Sequence, residues 1–258
     1  MLKIRLLQGN THCSNGILDD LKLIIPKLKN LGVKIRFVAD SGYDNKKLFE
    51  FLNQNQVEFL IAQKQFSTVK KLGKWAKNRQ LYIKYKAEIK DRGIKYGDAV
   101  FKQVYVRVAE GIDKKGQLHF VDYLAEDFTN VFVTNMDLSS KALYRIYREH
   151  AQVEVIIGEL KQDYGVAKSR GDELVVNQSF AQLIGIAFNL KTTFARKILG
   201  YTENVPTTYT FRNDFLHTPG YFANHSGKLQ LKTLTFGFKK MISAWNALEK
   251  LQPMPISV

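Results

Sequence analysis

Apolar positions in the first quarter of the chain follow two periods. Residues 2–8, LKIRLLQ, form an apolar run of strand length. A polar turn, GNTHCSNG (9–16), follows it. Ile17, Leu18, Leu21, Ile24, Ile25, Leu28 and Leu31 then recur every three or four residues, the spacing of a helix face. Asn15 is its expected cap, Pro26 bends or limits it, and Gly32 ends it. VKIRFVAD (33–40) is β-branched and aromatic and predicts a strand. Asp44 is placed to cap the helix NKKLFEFLNQN (45–55), and VEFLIAQ (57–63) predicts a further strand. Strand, helix, strand, helix, strand in that order predicts an α/β sheet with helical crossovers.

The pattern changes after residue 63. Residues 64–95 are dense in Lys and Arg, interleaved with Phe66, Trp75, Tyr82 and Tyr85. VFKQVYVRVAE (100–110), QLHFVDYLAE (117–126) and NVFVTNM (130–136) predict strands, with GIDKKG (111–116) as a hairpin turn. Helical spacing returns over about 139–164 and again over about 173–198. The second of these is apolar on nearly all sides, which predicts a buried helix. A looser segment, 201–232, precedes a last helix near 235–251. The organisation expected is a core begun by 1–63, a basic β-rich insertion at 64–137, a return to the core at 138–200, and a helical extension at 201–258. The fold class is α+β with an α/β core.

Composition adds one large fact. The 258 residues carry 39 Lys and Arg against 24 Asp and Glu, a net charge of +15 with a pI near 9.7. Such a field attracts polyanions, and nucleic acid leads because phosphate neutralisation dominates its binding. Cys13 is the only cysteine, so an intrachain disulfide and a multi-cysteine zinc site are excluded. The five histidines lack close metal-ligand spacing, and no phosphate-cradling glycine motif occurs. No apolar run approaches the roughly 20 residues that span a bilayer, and the first residues lack a secretory signal. The expectation is an intracellular protein with no membrane association.

Candidate chemistry sits at two places. Asp40 closes a predicted central strand, and ligand sites of open α/β sheets form outside the carboxyl ends of strands. Its bland alternative is a turn or capping aspartate, a role that Asp44 is expected to fill. In YREHAQVEVIIGELKQDYG (147–165), Tyr147, His150, Glu154 and Lys161 share one side of the predicted helix. Glu154 is flanked by Val153, Val155, Ile156 and Ile157, and a carboxylate buried there needs a partner or a cation. An exposed Glu154 paired with His150, a solvated Lys161 and an interface Tyr147 are the bland alternatives. Two carboxylates remote in sequence are suited to hold Mg²⁺ beside phosphate oxygens. With the basic surface, they point to a polynucleotidyl transferase or a nuclease.

The motifs also resemble a known family, the DDE transposases of bacterial insertion sequences. Its signature Y-x₂-R-x₃-E-x₆-K is matched here by Tyr147, His150, Glu154 and Lys161, with ELK (159–161) inside it. FVADSGY (37–43) resembles the strand that carries the family's second aspartate. GNTHCSNG, FVTNM (132–136), NQSFAQLIGIAFNL (177–190) and TYTFRNDFLHTPG (208–220) match in order. The resemblance implies an RNase H-like mixed sheet with flanking helices and a β-rich insertion before the last catalytic helix. It implies that Asp40 and Glu154 are catalytic and hold Mg²⁺ or Mn²⁺, and that Tyr147, His150 and Lys161 contact DNA. Partners would be transposon ends and target DNA, with a homodimer in a synaptic complex, in the cytoplasm at the nucleoid. Two departures follow. His150 stands where the family has arginine. No carboxylate precedes Asp19, so the first catalytic aspartate and the first strands are missing, which implies a truncated and inactive transposase. The alternative is a non-catalytic basic nucleic-acid-binding module. Convergence of the Asp40 and Glu154 carboxylates on one ion would separate the two.

Overall fold

A computed structural model of the chain describes residues 4–7, 11–64, 77–109, 111–112, 118–119, 130–150, 152–168, 171–202, 205–217, 220–225, 227–233 and 235–249. Two compact units divide it: residues 9–153 form one, and residues 1–8 with 154–258 form the other.

The first unit is built on a sheet. Helix α1, Ile17–Asn30, precedes strand β1, Arg36–Ala39; helix α2, Lys46–Gln54, then leads to strand β2, Glu58–Ala62. β1 and β2 pair in parallel, Arg36 opposite Glu58, as a helical crossover requires. Four longer or later strands follow: β3, Lys77–Tyr82; β4, Ala87–Tyr96; β5, Ala99–Val108; and β8, Asn130–Thr134. Between the last two lies a small hairpin of β6, Gly111–Ile112, and β7, Leu118–His119. Among the described residues the large sheet has six strands in the order β1-β2-β8-β5-β4-β3. The β-rich segment therefore extends the sheet begun by β1 and β2, with β8 pairing antiparallel to both β2 and β5.

Strand alternation divides the core. Phe59, Ile61, Phe101 and Val133 face Leu21 and Ile25 of α1 and Leu48, Phe49 and Leu52 of α2. Leu60, Ile89, Val104, Val106 and Phe132 pack with Leu143 and Tyr144 of helix α3, Ser140–Glu149. The six-stranded mixed sheet with flanking helices makes an α+β unit compatible with the expected RNase H-like fold.

Several local expectations change. The cap of α1 is Gly16, at φ +75°, with no side-chain bond; Asn15 instead bonds through its N–H to His12 O at 2.9 Å. Pro26 lies inside α1 on its exposed side, and Gly32 ends the turn at φ +69°. Asn45, not Asp44, caps α2, accepting from Lys47 N at 2.9 Å. Asp44 accepts from Lys64 N at 2.9 Å. Phe66, Trp75 and most of the strand expected at 117–126 lie outside the described residues.

The second unit is mainly helical. It contains helix α4, Gln152–Gln162, from Glu154 onward, and the long helix α5, Leu174–Lys197. A short helix α6, Thr208–Phe211, runs into a π-helical turn, Arg212–Leu216. A hairpin of β9, Gly220–His225, and β10, Lys228–Thr233, precedes helix α7, Thr235–Glu249. Residues 4–7 do not form the expected strand. Their backbone groups are met by α5 side chains: Gln178 Oε1 accepts from Leu6 N at 2.8 Å, and Gln178 and Gln182 both donate to Ile4 O. α5 also departs from expectation. Ala181, Ile184, Phe188 and Ala195 are buried, whereas Leu183, Ile186 and Leu190 are exposed. No helix among the described residues is long and apolar enough to cross a membrane.

Candidate functional site

The sheet positions Asp40. Ala39, the last residue of β1, is buried, and the next residue emerges exposed at the strand's carboxyl end. Asp40 caps the 3₁₀ turn Ser41–Tyr43, its Oδ1 accepting from Gly42 N at 3.0 Å. The turn-capping role weighed as the bland alternative for Asp40 is thus one that it does fill, while the helix cap expected of Asp44 belongs to Asn45. One carboxylate can do both, because the backbone N–H engages Oδ1 and an ion can be met by the remaining lone pairs.

Sequence reasoning missed a neighbour of this loop. A Cβ built on Gly42 would lie 2.4 Å from Cys13 Sγ and 3.0 Å from Asp40 Oδ1. The polar turn at 11–14 therefore packs against the 40–43 turn, and only a residue without a side chain fits between them. Burial pushes the Tyr43 phenol up, and Cys13 and the Asp40 carboxylate push it the same way. The signal available in sequence was the Gly between Asp40 and Tyr43, which reads equally well as an ordinary turn residue.

The signature residues do not share one continuous helix. α3 ends at Glu149 with His150 as its C-terminal cap, and α4 begins at Gln152. His150 N is shared between Tyr147 O at 3.1 Å and Ile146 O at 3.2 Å, the tightened bonding of a helix end. Tyr147 and His150 therefore belong to α3, and Glu154 and Lys161 to α4. The Tyr147 ring is half-buried, 4.3 Å from the Phe132 ring and 6.3 Å from the His150 ring. Its body is part of the core that also holds Tyr144. Glu154 is exposed in the first turn of α4, where a carboxylate suits the helix dipole, so burial places no demand on it. Lys161 is exposed in the last turn, where a cation suits the opposite end. Asp40 lies in the unit of residues 9–153 and Glu154 in the other.

Two family-like stretches have structural duties. In FVTNM, Asn135 Oδ1 accepts from Phe59 N at 2.9 Å, and its Nδ2 donates to Val57 O at 3.0 Å, closing the start of β2. In ELK, Glu159 is buried with Lys191, whose Nζ lies 2.8 Å from Glu159 Oε1 and 3.0 Å from Pro206 O. The same carboxylate accepts from Thr208 N at 2.8 Å and from the Thr208 hydroxyl. This network ties α4, α5 and α6 into one assembly.

Hard carboxylate oxygens at Asp40 and Glu154 fit a hard divalent ion in kind. Among the described residues no three His, Cys, Asp or Glu side chains gather as a ready metal set.

The model of one protein family, described as Transposase DDE domain, matches residues 1–190. That span includes Asp40, Tyr147, His150, Glu154 and Lys161 and leaves 191–258 outside it. No curated protein matches the chain.

Proposed function

The chain belongs to the transposase DDE domain family, and from that premise we propose that Asp40 and Glu154 are the carboxylates with which it holds Mg²⁺ or Mn²⁺ for DNA strand cleavage and transfer. The observation that carries this reading is Asp40, an exposed carboxylate at the carboxyl end of a parallel strand within the matched span. A bound ion supplies activation of the attacking oxygen and charge neutralisation at the leaving one.

The chain's own residues take the remaining roles. Lys161 presents an exposed ammonium to DNA-end phosphate. Tyr147, anchored by Phe132, offers its hydroxyl from a fixed ring. His150 lacks the bidentate fork of the arginine expected there and holds phosphate less firmly. The partners are transposon ends and target DNA, bound by a homodimer in a synaptic complex at the nucleoid.

Mn²⁺ titration followed by electron paramagnetic resonance tests the ligand assignment. Asp40→Ala and Glu154→Ala are each expected to weaken binding, and the double variant by an amount that departs from the sum of the two, as for two ligands of one ion. Indifference of Mn²⁺ affinity to both substitutions would remove the assignment and leave a non-catalytic basic module. A Mg²⁺-dependent assay on a labelled element end tests the catalytic role: cleavage abolished by Asp40→Ala supports the assignment, and cleavage untouched by it removes the assignment.

A further inference from the structure

The segment beyond the family match carries a charged ribbon for which the site residues have no use. β9 and β10 form a two-stranded antiparallel hairpin in unbroken register from the 220/233 pair to the 225/228 pair, and Gly227 just before β10 has φ +75°. Tyr221 pairs with Lys232, Ala223 with Gln230, and the position of Lys228 with 225. Directly paired residues share a face, and so do residues two apart on one strand. Tyr221, Gln230, Lys228 and Lys232 therefore occupy one face, and all four are exposed, Tyr221 at 64%. The opposite face presents Phe222 at 70% exposure and Leu229 at 72%. From Phe215 to Leu248 the chain has four lysines and no Asp or Glu. No carboxylate of that stretch competes for the lysines.

We propose that the Tyr221–Gln230–Lys228–Lys232 face of this hairpin is a second DNA-contacting surface, laid into the major groove with its lysines on backbone phosphates. The inference rests on the reading that the chain acts on DNA and adds where, outside the matched span, it grips the duplex. Dimensions support it. Lys228 and Lys232 are four residues apart on one strand, about 13 Å at strand rise. The major groove is about 12 Å wide and admits a two-stranded ribbon. One lysine can thus meet each wall of the groove, while Tyr221 and Gln230 supply hydrogen-bonding groups between them. A-form RNA does not offer this seat, because its major groove is deep and narrow.

The test uses the full chain and a fluorescein-labelled DNA duplex of arbitrary sequence, with affinity followed by anisotropy across a salt series. Lys228→Ala/Lys232→Ala is expected to weaken binding and to make the slope of log affinity against log salt shallower by about 2, one per lost phosphate contact. Lys228→Arg/Lys232→Arg keeps the wild-type slope. Phe222→Ser/Leu229→Ser, on the opposite face, keeps both slope and affinity. A lysine-to-alanine variant with the wild-type slope overturns the proposal while leaving the function reading intact. Loss of affinity in the serine variant as large as in the alanine variant overturns it too, in favour of an apolar contact. An equal loss on an A-form RNA duplex also overturns the groove assignment. Failure of the wild-type chain to bind DNA at all removes this proposal and the function reading together.

Discussion

At the scale of single residues, Gly42 decides what its neighbours can do. A methyl group there meets Asp40 Oδ1 at 3.0 Å and Cys13 Sγ at 2.4 Å. The exposed thiol can turn toward solvent, but Asp40 is held by the Gly42 N–H itself. Gly42→Ala is therefore expected to dislodge the carboxylate. Thermal unfolding should show a loss of about 1–3 kcal/mol, as for other overpacked sites. Cys13→Ala added to it should recover part of the stability, and Mn²⁺ titration should still show the affinity of Asp40→Ala. Tyr105 sets a different kind of expectation. Its ring is fully buried, its hydroxyl donates to Gln103 Oε1 at 2.6 Å, and burial pushes the phenol up to about 12. The neutral form is the one the fold favours. Its contribution to stability is complete below the unfolded value of 10.0 and is lost as pH rises from there to about 12. Absorbance of tyrosinate followed through an alkaline titration checks this. Tyr105 should ionise late, together with unfolding, and ionisation near 10 in the folded chain would contradict it.

At the scale of elements, periodicity was legible and continuity was not. The apolar spacing of 17–31 and 48–52 identified α1 and α2, since each buries one stripe. The expected 139–164 helix is instead α3 and α4, because the chain tightens at His150. Apolar periodicity continues across such a break and does not register it. α4 gains its place from Glu159, whose partner Lys191 could not be inferred from either helix alone. Lys191→Met should leave Glu159 as a buried unpaired charge and destabilise this unit by roughly 3–5 kcal/mol in urea. Lys191→Met with Glu159→Gln should regain much of it, because a neutral amide oxygen still accepts from Thr208. Equal stability of the two variants would show that the ion pair is not what the unit depends on. In the sheet, Glu58 opposes Arg36 and also meets Lys34 at 2.5 Å, which holds its carboxyl below the usual range. Its contribution to stability is present above the unfolded value of 4.5 and lost as pH falls below it.

At the scale of the whole molecule, two properties come from sums over many residues. One is the core. Phe59 is fully buried between stacked Phe49, 5.5 Å away, and Phe101. Phe59→Ala should cost about 3–5 kcal/mol, read from a denaturant midpoint. The other is charge. At +15 the chain should bind duplex DNA with an affinity that falls steeply as salt rises.

What the sequence alone determined was local: the periods of α1, α2, β1 and β2, the basic charge, the family signature, and Asp40 at a strand end. These follow from side-chain chemistry and from spacings of a few residues, which need no distant partner. Tertiary structure alone decided that the β-rich segment prolongs the sheet of β1 and β2, that residues 4–7 bond to Gln178 and Gln182, and that α5 exposes Leu183, Ile186 and Leu190. Strand pairing and burial depend on which remote residues arrive at the same place, and a one-dimensional pattern of apolar and polar positions carries no record of that arrival.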